Sequence, residues 1–101
     1  MEFRALSKYP TVRRDVSVLV DESVTARAVR DCVGQVGIHV LENLELFDVY
    51  RGEGIDSGKK SLSLGLTFQD SERTLTDAEV DQFVDRIVAS LTTDLGAILR
   101  G

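Results

Sequence analysis

Residues 61–68 read SLSLGLTF, and they carry the clearest strand pattern in the chain. Large apolar side chains at Leu62, Leu64, Leu66 and Phe68 alternate with small or polar ones. Because successive side chains of a strand point to opposite faces of a sheet, the alternation predicts one buried face. The other face carries only small groups, over which a flat ligand can lie.

Three further segments have strand character on either side of this one. Residues 12–20 place valines and polar residues on alternate sides, and residues 41–50 are apolar and β-prone. Between residues 41–50 and the central pattern lies RGEGIDSGKK at 51–60, whose three glycines and many charges predict a hairpin loop. Residues 97–100 are long enough for a short final strand.

Two segments have the apolar spacing of helices. In the first, Ser23 or Thr25 is the candidate cap and Gly37 ends the helix. In the second, Thr76 and Glu79 form a capping box, and Gly96 ends the helix. The apolar positions recur at helical spacing: Val29, Cys32, Val33 and Val36 in the first, and Val80, Phe83, Val84, Ile87, Leu91 and Leu95 in the second.

The predicted order is therefore β-α-β-β-α-β. Two strand–helix–strand crossovers joined by a hairpin predict an α+β, ferredoxin-like fold, in which a four-stranded antiparallel sheet has both helices on one face. The first and third strands are central in that topology. The helix-free face is the kind of surface on which RNA-recognition modules stack unpaired bases, although the fold alone does not decide the function.

Composition and charge narrow the possible functions. A chain of 101 residues fits one domain, and Cys32 and His39 are each the only residue of their type, which excludes internal disulfides and cysteine-based zinc sites. No apolar run approaches a membrane span, so we expect no membrane partner. The net charge is −5, but residues 70–94 contain seven acidic and two basic residues, so the rest is balanced at ten against ten. Specific RNA contacts therefore stay possible although attraction by bulk charge is not expected.

Six short motifs occur in order along almost the whole chain. They are Ser7-Lys8-Tyr9-Pro10, Val12-Arg13-Arg14-Asp15-Val16, Leu46-Phe47-Asp48-Val49-Tyr50, Lys60-Ser61-Leu62, Arg73-Thr74-Leu75-Thr76 and Leu99-Arg100. Together they resemble the ferredoxin-fold anticodon-binding domain of bacterial phenylalanine–tRNA ligase (phenylalanyl-tRNA synthetase) β subunits. Organellar single-chain relatives share the domain, but the Phe-Asp-Val-Tyr run looks more like the bacterial β subunit.

The resemblance implies five RNA-binding residues on the open sheet face. Tyr50 is expected to stack on an anticodon base, and Asp48 to accept hydrogen bonds from base edges. Ser61 and Arg100 match two further base contacts. Ser17 stands where the family usually has a small residue, often alanine, so its hydroxyl is a mild departure.

The resemblance also implies the setting of the chain. The expected partners are the anticodon loop of the phenylalanine tRNA, the α subunit and the rest of the β subunit in an α2β2 heterotetramer in the cytoplasm, with no DNA. The parent ligase uses ATP and magnesium and has its catalytic site on the other subunit, so this domain is expected to need no cofactor or metal and to be non-catalytic. Residues 1–101 are then one domain of a longer subunit, and Met1-Glu2 is interpreted as an artificial start.

Each site residue also has an ordinary structural interpretation. Tyr50 alone is typical of a half-buried aromatic at a strand end, and Ser61 of the solvent side of a strand. Asp48 could cap a backbone group or pair with Arg14, and Arg100 could be a frayed end.

Three other classes of function stay open at this point. An acylphosphatase-like enzyme needs a phosphate-binding loop after the first strand, where Asp21 and Glu22 would repel phosphate. A regulatory module that binds a small molecule is a second alternative, which the polar sheet face fits less well. A protein-interaction domain is the third, with the acidic second helix as its surface.

Overall fold

The computed structural model describes residues 9–100. The expectations for Met1, Glu2, Ser7 and Lys8 therefore lie outside the described residues. The elements are β1 (Val12–Asp21), α1 (Ala26–Val36), β2 (Leu41–Tyr50), β3 (Lys59–Phe68), α2 (Asp77–Leu95) and β4 (Ile98–Leu99). This order confirms the ferredoxin-like β-α-β-β-α-β prediction.

The strands form one four-stranded sheet in the order β2-β3-β1-β4. Each neighbouring pair is antiparallel, and β1 pairs with β3 along its full length, from Val12↔Phe68 to Asp21↔Lys59. The first and third strands are central, as predicted. This arrangement places the SLSLGLTF segment between β1 and β2, where both of its edges are hydrogen-bonded.

The core lies between one face of the sheet and the two helices. Alternate residues of β1 and β3 meet the apolar side of α1 and α2, and Phe68 packs on Phe83 with ring centroids 5.9 Å apart. Leu64 and Leu66 are fully buried, and each buried leucine side chain contributes about 1.5–3 kcal/mol. Because both helices cover the same face, the opposite face of the sheet remains open.

The first helix is capped by Thr25, whose hydroxyl accepts a hydrogen bond from the Ala28 N–H at 3.0 Å. Ser23, the other candidate cap, instead donates its hydroxyl to the Asp21 carboxylate at the end of β1. Gly37 ends the helix at φ +75°, a left-handed conformation that glycine adopts without strain. The predicted end of this helix is therefore confirmed, and its start is assigned to one of two candidates.

The second helix begins with half of the predicted capping box. The Thr76 hydroxyl accepts from the Glu79 N–H at 3.2 Å, while the Glu79 carboxylate pairs with Arg73 at 2.5 Å. Its engagement by Arg73 replaces the return bond expected in a capping box, and this ion pair raises the pKa of Arg73. The Arg73–Thr76 motif thus fixes the entry to the helix, as the sequence predicts.

Three strands differ in extent from the sequence predictions, and β1 continues by one residue, to Asp21. Lys59 and Lys60, assigned to the hairpin loop, belong to β3, because they continue its pairing with Asp21 and Val20. The last strand contains only Ile98 and Leu99. Among residues 9–100, no helix is long and apolar enough to cross a membrane.

Candidate nucleic-acid interface

Two rows of side chains run across the open face of the sheet, perpendicular to the strands. Asp48 pairs with Ser63, and Ser63 with Ser17. The Arg100 N–H donates to the Ser17 carbonyl at 2.7 Å, so Arg100 stands beside Ser17 in the same row. We call Asp48, Ser63, Ser17 and Arg100 the polar row.

The neighbouring row is mostly apolar. Tyr50 pairs with Ser61, Ser61 with Leu19, and Leu19 with Ile98. We call these four residues the apolar row. Its neighbour, the polar row, is two residues away along each central strand, which is about 7 Å. The five predicted RNA-binding residues all belong to these two rows, three to the polar row and two to the apolar row.

A β-bulge in β2 decides which way Asp48 and Tyr50 point. Leu46 pairs with Leu64 on the core side, but the register shifts between Leu46 and Asp48, so that Asp48 pairs with Ser63. Unbroken alternation from Leu46 would turn Asp48 toward the helices. The extra residue, Phe47, shifts the register by one and turns Asp48 and Tyr50 to the open face.

The five side chains differ in how much surface they offer. Asp48 and Arg100 are exposed, and Tyr50 is 43% exposed. The Ser17 and Ser63 hydroxyls lie 3.3 Å apart and are half-buried. Ser61 lies on the open face, as the solvent-side interpretation expects, but it is only 4% exposed, so a direct contact from it needs its neighbours to move.

The Tyr50 side chain is fixed at both ends of its ring. Its backbone belongs to β2, and its hydroxyl donates to the Glu53 carbonyl at 3.0 Å in the hairpin loop. That loop is held against the turn after β1 by Arg51, which contacts Glu22 at 2.6 Å, and by the Glu22 N–H, which donates to Gly58. The ion pair lowers the pKa of Glu22 and raises that of Arg51. The ring is therefore pre-positioned with a large exposed surface.

The other half of the open face is occupied by the chain itself. The Arg13 guanidinium lies over Gly65, where a Cβ atom would come within 2.4 Å of Nη2. It donates to Asp15 at 2.8 Å and to Glu45 at 3.2 Å, and the hydrogen bond and charge of Asp15 raise its pKa. The predicted surface for a flat ligand therefore shrinks to the end of β3 that carries Ser63. The sequence contains no signal for this beyond the glycine.

The contacts of Arg14 and Arg100 exclude two of the ordinary structural interpretations. Arg14 lies on the helix side of β1 and pairs with Asp77 at 3.0 Å and Asp81 at 3.6 Å, so the suggested pair with Asp48 is wrong. The backbone of Arg100 is bound to β1, so the interpretation as a frayed end is wrong as well.

Comparison with known proteins identifies the family of this arrangement. The family described as "Ferredoxin-fold anticodon binding domain" matches residues 7–100. The chain belongs to this family. The resemblance to this family, which the six sequence motifs predict, is therefore confirmed.

Three relatives of this anticodon-binding domain carry the same description. The chain is 43% identical over 99 residues to "Phenylalanine--tRNA ligase beta subunit" of Clostridium acetobutylicum, which is 98% of this chain and 12% of the relative. It is 46% identical over 98 residues to the protein of that description from Nitrosococcus oceani, which is 97% of this chain and 12% of the relative. It is 48% identical over 96 residues to the protein of that description from Vibrio vulnificus, which is 95% of this chain and 12% of the relative. The chain thus spans about an eighth of the length of these relatives.

The charges on the open face of this anticodon-binding domain suit bases better than phosphates. Arg13 is surrounded by Asp15 and Glu45, and Asp48 adds a further carboxylate. Arg100 is the cation at the other end of the polar row. Among residues 9–100, no three His, Cys, Asp or Glu side chains are placed to hold a metal ion.

Proposed function

We propose that this chain binds the unpaired anticodon bases of the phenylalanine tRNA on its open sheet face, as the anticodon-reading part of a phenylalanine–tRNA ligase β subunit. The observation that carries the proposal is that the polar row and the apolar row lie side by side on the open face. Family membership and the descriptions of the relatives support it.

The two rows offer the two kinds of contact that an unpaired base needs. Tyr50 supplies an exposed aromatic face for stacking, and base–aromatic stacking contributes about 1–3 kcal/mol per base. Asp48 accepts hydrogen bonds from exocyclic amino groups, and the planar guanidinium of Arg100 donates several hydrogen bonds. Because the rows are about 7 Å apart, a base lying on one row has its edge within reach of the other.

The remaining expectations concern the longer protein. We propose that the chain works as one domain of a β subunit that assembles with an α subunit into an α2β2 heterotetramer in the cytoplasm. ATP and magnesium would act in the rest of that enzyme. The described residues of this domain would then contribute tRNA binding and no chemical step.

Tyr50 provides the sharpest test, because its ring and its hydroxyl make different predictions. Tyr50→Ala should lower the affinity for an RNA hairpin carrying the phenylalanine anticodon by about 1–3 kcal/mol. Tyr50→Phe keeps the ring and loses only the bond to Glu53, so it should retain most of the affinity. Val49→Ala is the matched control, since Val49 is 40% exposed on the opposite face of the same strand.

The affinities should be measured by titration alongside thermal melts of every variant. Equal affinity of the wild type and a folded Tyr50→Ala would remove Tyr50 from the site and weaken the assignment of Asp48. A loss of affinity in Val49→Ala equal to that in Tyr50→Ala would show that the strand, and not the open face, is being tested. No binding by the wild type would refute the proposed function of the isolated chain.

A further inference from the structure

Phe47 is an aromatic residue that the packing of this fold leaves unexplained. Its side chain is 48% exposed, although it lies within β2 directly after the core-side residue Leu46. The bulge makes Phe47 and Asp48 oppose the single residue Ser63. Phe47 therefore stands on the open face immediately beside the polar row.

The ring of Phe47 is held in place from below. The Arg13 guanidinium carbon lies 5.4 Å from the ring centroid, in a cation–π contact. Arg13 in turn lies over Gly65 and is bound by Asp15 and Glu45. One face of the ring is thus supported by a guanidinium with fixed partners, and its exposed surface faces solvent.

The surroundings of this ring select for a neutral ligand. Arg13 is bound to two carboxylates, and Asp48 adds another next to the ring, so a phosphate group would meet net negative charge here. A nucleobase is uncharged, stacks on any aromatic face, and presents amino groups that such carboxylates accept. An exposed aromatic among acids therefore fits a base and not a backbone phosphate.

We propose that Phe47 is a second stacking platform for an unpaired RNA base, separate from the one on Tyr50, and that Arg13 is the residue that positions its ring. The inference rests on the proposed function and adds a second base-binding position to it. Phe47 and Tyr50 are three residues apart on one strand, which is about 10 Å. The two platforms therefore receive different, splayed bases of the same loop.

The test uses an RNA hairpin with the phenylalanine anticodon, carrying 2-aminopurine at one loop position at a time. The fluorescence of this base is quenched on stacking, so each platform is assigned to a position in the loop. Phe47→Leu keeps an apolar side chain at the bulge and removes the aromatic face. It should weaken binding roughly 5- to 100-fold and relieve the quenching at one loop position.

Tyr50→Ala should relieve quenching at a different loop position from Phe47→Leu. Arg13→Gln should affect the same position as Phe47→Leu and leave that of Tyr50 unchanged, which a general loss of structure would not do. Val49→Ala, on the other face of β2, should leave every position unchanged. Thermal melts of every variant are the control that each one is folded.

The outcomes separate this inference from the function on which it rests. If Phe47→Leu binds like the wild type while Tyr50→Ala is impaired, the second platform is refuted and the proposed function stands. If Phe47→Leu affects the same position as Tyr50→Ala, Phe47 only shapes the bulge, and the stacking role is refuted. A wild type that does not bind the hairpin overturns both.

Discussion

Replacing Gly65 by alanine would put a methyl group into the space that the Arg13 guanidinium occupies. The added Cβ would lie 2.4 Å from Nη2, 2.8 Å from Cζ and 3.2 Å from Nε. Non-bonded heavy atoms normally approach to about 3.5–4.0 Å. The guanidinium must therefore move by about 1 Å or more, which displaces it from its 3.2 Å contact with Glu45 and from its position over the Phe47 ring.

The expected effect on stability is small, because the obstructing atoms are the far end of a flexible, exposed side chain. Alanine in a strand interior stabilises by about 0.5–1 kcal/mol relative to glycine. The free energy of unfolding of Gly65→Ala should therefore rise by at most about 0.5–1 kcal/mol. Losing the exposed contacts of Arg13 makes this rise smaller. In an Arg13→Ala background the obstacle is absent, and the full gain of about 0.5–1 kcal/mol should appear.

Urea denaturation of the wild type, both single variants and the double variant measures these four free energies. The difference between the two backgrounds reports the coupling of Gly65 and Arg13. A loss of more than about 2 kcal/mol in both backgrounds would mean that the methyl group overpacks against the backbone. The placement of Arg13 over Gly65 would then not be the reason that the position is a glycine.

Four further outcomes follow from the geometry. Arg100→Ala should leave the melting temperature nearly unchanged and weaken hairpin binding by about 1–3 kcal/mol; unchanged affinity would remove Arg100 from the site. The logarithm of the binding constant should fall with the logarithm of salt concentration with a slope of roughly −1 to −3, whereas about −6 would reveal an unrecognised basic surface. Burial raises the pKa of the Cys32 thiol, so alkylation by iodoacetamide at about pH 8 should be at least about tenfold slower in the folded chain than in urea; equal rates would contradict this. Arg51 holds the pKa of Glu22 below its ordinary value of 4.5, so this pair stabilises the fold above that pH, and the contribution is lost as pH falls through the lowered pKa. Glu22→Gln should therefore lower the melting temperature at pH 7 and narrow the difference between the melting temperatures at pH 7 and at about pH 3. An unaltered difference would show that the pair does not contribute.

The central strand and the helices were predictable because their patterns are local. In residues 61–68, the alternation of leucine with small residues has the period of a strand, and the structure places this segment in the middle of the sheet. Thr76 and Gly96 mark the ends of α2, because a helix end must satisfy backbone groups with nearby residues. The sequence does not decide the start of α1, since Ser23 and Thr25 are both good caps and only the turn after Asp21 decides between them.

The candidate site depended on more than pattern. Alternation along β2 from Leu46 would have turned Asp48 and Tyr50 toward the core, and the resemblance to a family, not the spacing, assigned them to the open face. The bulge at Phe47 depends on how β2 pairs with β3, and in the sequence it shows only as a break in the alternation, since the core side passes from Leu44 and Leu46 to Val49. This break alone does not predict that the Phe47 side chain is exposed.

By itself the sequence determined the order of elements, the buried face of the sheet and the family, because these follow from periodicity, capping residues and short motifs in a fixed order. Only the tertiary structure decided which side chains meet on the open face. Arg13 and Gly65 are 52 positions apart in the numbering, and their contact exists because β1 and β3 pair in one particular register. Ser61 became buried and Phe47 exposed for a related reason: the burial of a side chain depends on the neighbouring strands that cover it, and those neighbours come from distant parts of the chain.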